Sequence, residues 1–149
     1  MTTIALLKFA HLAAAIVWLG GMAFMLFALR PAVGMLSPPQ RLSLVAGTLS
    51  RFFAIVWVAI GVLLASGLSM MVATGMKNAP LGWHLMMGIG LVMFALYGHL
   101  FFATYRRLQR AVAQSDWPVA ADQMKAISRM AMINFVLGWV AIAAVRFVR

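Results

Sequence analysis

Four long apolar runs dominate the sequence, at about residues 4–29, 52–73, 81–105 and 127–148. At about 1.5 Å rise per residue, roughly 20 helical residues cross the hydrocarbon core of a bilayer, so each run is long enough to span it. Their unbroken apolar character favours helices over barrel strands, which would alternate lipid-facing and lumen-facing residues. Composition points the same way. The chain is 65% hydrophobic and 9% charged, where soluble domains carry about 25% charged residues. With 149 residues it has too little interior to hide that much apolar surface from water. The expectation is a single all-α domain, 1–149, forming an integral membrane four-helix bundle.

Charge orients the bundle. Twelve Lys and Arg stand against two acids, a net charge of +10. The bases sit between or beside the apolar runs, so they read as topology signals and contacts to anionic lipid headgroups rather than as a nucleic-acid surface. The first connection carries Arg30, Arg41 and Arg51. The third carries Arg106, Arg107, Arg110, Lys125 and Arg129, and the second only Lys77. The positive-inside rule then places connections one and three in the cytoplasm, and both termini and the 74–80 turn on the outer, periplasmic side. The first run is about twice the length of a signal-peptide core and lacks a small-residue exit, so it reads as a retained span. Pro39 to Ser50 reads as a helix leading into span two, and Asp116-Trp117-Pro118 as a break in the third connection.

Ionisable residues inside spans are costly, and each is a functional candidate. Lys8 either snorkels to the headgroups or offers a positive charge to a cofactor or anionic substrate. His11 lies three residues after Lys8 and seven before Trp18, so the three share a helix face, with Gly20 and Gly21 beyond. It either hydrogen-bonds to a neighbouring helix or ligates a metal or haem. His84 follows Trp83 at the start of span three, as an interfacial pair or as a second ligand at the depth of His11. His99 lies about 22 Å further along the helix, too far for one metal to take both. It reads as a partner for Asn134 or as a ligand of a second centre. A low-bulk stripe of His84, Gly88, Leu91, Ala95, Gly98 and His99 joins the two histidines, suited to close helix approach or to a porphyrin edge. Thirteen methionines are present, and Met70, Met71, Met76, Met86 and Met87 gather at the outer ends of spans two and three. Thioether and imidazole ligands suit Cu(I); methionine is also ordinary flexible filler.

Absences narrow the chemistry. There are no cysteines, so no disulfide, thiolate site or cysteine nucleophile. Both acids, Asp116 and Asp122, lie in the third connection, which disfavours a carboxylate relay, a two-carboxylate hydrolase or a hard-cation site within the spans.

Span one reads Leu7-Lys8-Phe9-Ala10-His11, then Trp18-Leu19-Gly20-Gly21 and Arg30-Pro31. It resembles the first helix of the CopD-like membrane proteins and of the related four-helix HemJ-type protoporphyrinogen oxidases. Gly82-Trp83-His84 with Tyr97-Gly98-His99 resembles the third helix of both groups, and Arg129 to Asn134 resembles the fourth HemJ-type helix. Met25-Leu26-Phe27 and Phe135 depart from the HemJ-type pattern, which favours the CopD-like assignment over porphyrinogen oxidation.

The resemblance implies haem b or copper in a bacterial inner membrane. In the leading expectation, haem b lies between spans one and three with His11 and His84 as axial ligands. Lys8 faces a propionate, Trp18 packs on the ring, and His99 is a further candidate. This would make the chain a membrane electron-transfer or oxidoreductase protein with a redox partner or quinone. The alternative is a copper-binding or copper-transport protein using His11, His84 and the outer methionines. A third reading is a non-catalytic accessory subunit. The Gly-rich faces allow a homodimer.

Overall fold

The computed structural model describes residues 2–148. Four helices are long and apolar enough to cross a membrane: Thr3–Met35, Pro38–Thr74, Leu81–Ala113 and Trp117–Phe147, hereafter spans one to four. No strand occurs among the described residues. Spans one and two pair along their length, as do spans three and four, and the two hairpins pack into one bundle.

The helices run past the apolar stretches because nothing in the connections stops them. Span two begins at Pro38, where proline fits a first turn that needs no N–H donor. The Gln40 side-chain oxygen accepts from the Ser37 hydroxyl at 2.8 Å and from its backbone N–H at 3.4 Å, tying down that first turn. Arg41 and Arg51 are thus helical, and the first connection shrinks to a few residues. Span two ends at Gly75, whose φ of +80° is open to glycine at little cost. The third connection is also mostly helical: Arg106–Ala113 continues span three. Ser115 turns the chain with φ +56°, and Asp116 caps span four by accepting the Val119 N–H at 3.2 Å.

Polar atoms hold the hairpins together where lipid offers no substitute partner. Tyr97 donates to the Phe53 carbonyl at 2.8 Å and Tyr105 to the Ala46 carbonyl at 3.2 Å, both linking span three to span two. Around them Phe53 meets the rings of Tyr97, Phe101 and Tyr105 edge-on. The outward surface is apolar, with Leu6, Phe9, Ile16, Val58, Val72 and Trp139 all exposed. Such a surface is stable against lipid and not against water.

Two segments are π-helical, Phe24–Leu29 in span one and Leu100–Tyr105 in span three. They lie toward the end of the bundle holding the two arginine-rich connections, the basic end; the 74–80 turn marks the opposite, turn end.

Candidate functional site

His11 is half-buried against span two, not against span three. Its Nδ1 lies 2.9 Å from the Ser66 hydroxyl oxygen. That hydroxyl donates its single proton back to the Val62 carbonyl one turn earlier, as a serine inside an apolar helix commonly does. With the proton so committed, Ser66 can only accept, and His11 Nδ1 must be the protonated nitrogen. In the neutral ring the lone pair then resides on Nε2, available to a proton donor or a metal. A ring nitrogen held by a hydrogen bond while the other binds metal is the usual arrangement of ligating histidines.

Gly67 makes room for the ring. A Cβ at that position would lie 3.1 Å from His11 Cε1 and 3.5 Å from Nδ1. Past Gly67 on the same helix come half-buried Met70 and buried Met71, within one turn.

The other candidates are placed differently. His84 Nε2 donates to the Met76 carbonyl at 3.0 Å, tying the start of span three to the 74–80 turn. His99 is exposed in the middle of span three, just before the π-helical segment. The expected His99–Asn134 pair does not form: the Asn134 amide donates to the Met93 carbonyl at 3.2 Å, since Asn134 faces a turn and a half nearer the start of span three. Most of the low-bulk stripe, Gly88, Leu91, Ala95 and His99, is exposed on the outer surface rather than against a neighbouring span. Lys8 is exposed, as a snorkelling lysine would be.

Trp18 does share the inward face with His11, and it is 3% exposed. It stacks on Phe94 at 5.7 Å between ring centres and meets Tyr97 edge-on at 6.0 Å. These rings fill the space between spans one and three about two helical turns deeper than His11. His84 Nε2, moreover, is engaged by a carbonyl. The residues present therefore do not fit a haem held between His11 and His84, and that expectation finds no support here. Among the described residues no group of three His, Cys, Asp or Glu side chains is gathered for a metal. A soft-metal site here would have to draw on methionine.

Sequence reasoning named His11 but missed Ser66 and Gly67. The available signal was Ser66-Gly67 itself, a polar and a small residue side by side within an apolar run, the composition that lines helix contacts in membranes.

No curated protein and no solved structure gives a significant match to this chain. The family model for copper resistance protein D matches residues 46–148, more than two thirds of the chain, taking in Ser66, Gly67, His84 and His99 but not His11. The chain is a multi-pass membrane protein that belongs to the CopD family.

Proposed function

We propose that this protein handles copper in the bacterial inner membrane, binding Cu(I) at the interface of spans one and two. The observation that carries the reading is the His11–Ser66 hydrogen bond, which engages Nδ1 and, in the neutral ring, leaves the lone pair on Nε2. Membership of the copper resistance family supports copper as the metal, and the chemistry of the neighbours agrees with it. Imidazole and thioether are ligands of soft Cu(I), which is content with few of them. In this reading Met70 is the second ligand, one turn past Ser66 on the same helix. The two acids, Asp116 and Asp122, both lie at the opposite, basic end of the bundle, which disfavours a hard cation beside His11. The positive-inside count turns this end of the bundle toward the periplasm, where copper would enter.

The test is a Cu(I) titration of the purified protein against a coloured competing chelator under reducing conditions. One equivalent should bind, and His11→Ala should abolish tight binding, with Met70→Ala weakening it. Unchanged copper affinity in His11→Ala would overturn the reading. So would a visible spectrum with a Soret band that shifts on reduction, which would return haem to the centre.

A further inference from the structure

A second site lies at the basic end, separate from the copper reading. A cavity of about 300 Å³ opens between span one, the start of span two and the start of span four. That is the small end of the range for ligand-binding cavities, about 300–1,000 Å³. Its walls are apolar, with Met25, Leu26 and Phe52 among them, and its rim carries Arg30, Arg41 and Lys125. One wall is the π-helical Phe24–Leu29 segment. Such single-turn departures from the α-helix are rare and frequently mark functional sites.

Among the described residues, two of the three rim charges, Arg30 and Arg41, lack a partner of opposite sign. The chain has two acids. Asp116 caps span four, and Asp122 pairs with Lys125 at 3.2 Å on an exposed surface, where such a pair contributes little. No carboxylate reaches Arg30 or Arg41 among the described residues. Arg41 is nevertheless half-buried. An apolar slot beneath two uncompensated guanidinium groups, at the level where a span meets the headgroups, is complementary to an amphiphile with an anionic head. Guanidinium is the side chain best matched to phosphate oxygens.

We propose that this cavity binds one anionic phospholipid, its phosphate on Arg30 and Arg41 and part of an acyl chain against Met25, Leu26 and Phe52. The lipid acts as a wedge among spans one, two and four, and it selects membranes rich in anionic lipid.

The test uses the delipidated full-length protein in detergent, with bound lipid counted by native mass spectrometry. The probes are dioleoyl phosphatidylglycerol, dioleoyl phosphatidylcholine and inorganic phosphate. One phosphatidylglycerol should be retained at least about tenfold better than phosphatidylcholine. At about a fivefold contribution per basic group near a membrane surface, Arg30→Gln with Arg41→Gln should weaken that binding roughly 30-fold. Ala131→Leu, which fills the cavity from span four, should weaken it with the arginines intact. Arg106→Gln, a base outside the cavity, should leave it unchanged. Equal retention of the two lipids would overturn the proposal. Displacement by millimolar inorganic phosphate would do so too, because the apolar slot would then be irrelevant. If Ala131→Leu fails to fold, the arginine pair decides alone: wild-type retention in that variant means the lipid sits elsewhere.

Discussion

Ser66 accepts the Nδ1–H of His11 at 2.9 Å while giving its own proton to the Val62 carbonyl. Two residues 55 positions apart thereby fix one imidazole tautomer and one ring orientation. The orientation matters as much as the tautomer, because it sets where Nε2 stands relative to Met70.

Removing the hydroxyl should separate binding from folding. Ser66→Ala deletes one interhelical hydrogen bond, worth on average about 0.6 kcal/mol inside a membrane, so the melting temperature should barely move. Loss of an outer partner of a ligating histidine typically costs roughly 10–100-fold in metal affinity. The chelator competition assay should therefore show a copper defect in a stable protein. A variant with wild-type Cu(I) affinity would mean that the Ser66 contact is structural only.

Gly67 supplies a second, steric handle on the same ring. Helix propensity favours alanine over glycine by about 1 kcal/mol, so Gly67→Ala should not unfold the protein. Its Cβ would sit 3.1 Å from Cε1, and the imidazole must give by a few tenths of an ångström. Gly67→Leu leaves no place for the ring at all. Copper affinity should fall in the order Gly, Ala, Leu while the circular-dichroism helix signal stays constant. An affinity indifferent to side-chain size at 67 would place the metal away from His11.

The number of spans was legible in the sequence because a bilayer imposes a single length scale, and four runs met it. Their ends were less legible. Hydropathy falls at Arg106, but a helix stops only where a breaker stops it, and none occurs before Ser115. His11 stood out as an ionisable residue in an apolar run, yet its partner did not, since the register between spans one and two is decided by packing along their whole length. Trp18 illustrates the same gap. Spacing placed it correctly on the His11 face and could not say that Phe94 and Tyr97 already occupied the space beside it. The outward turn of Gly88 and Ala95 was hidden for the same reason: small residues suit helix contacts, but the sequence does not name which face has a neighbour.

Asn134 is 3% exposed, and its Oδ1 has no hydrogen-bond partner among the described residues, although its amide donates to the Met93 carbonyl. A satisfied buried asparagine would stabilise the span three–span four contact. A half-satisfied one sets a hydrogen bond of about 0.5–1.5 kcal/mol against the cost of stripping solvent from the orphaned oxygen, about 1–3 kcal/mol. Replacing it with leucine, of similar size, removes both contributions. Asn134→Leu should accordingly leave the melting temperature in detergent unchanged or raise it by a few degrees. Asn134→Asp is the informative contrast, because it keeps the shape and introduces a carboxylate where a charge costs about 2.5–3.5 kcal/mol on the helix-insertion scale. It should lower the melting temperature clearly at neutral pH and recover part of the loss in acid, where the carboxyl protonates. A large destabilisation in Asn134→Leu would show that Oδ1 has a partner in the membrane, such as a buried water held between spans three and four.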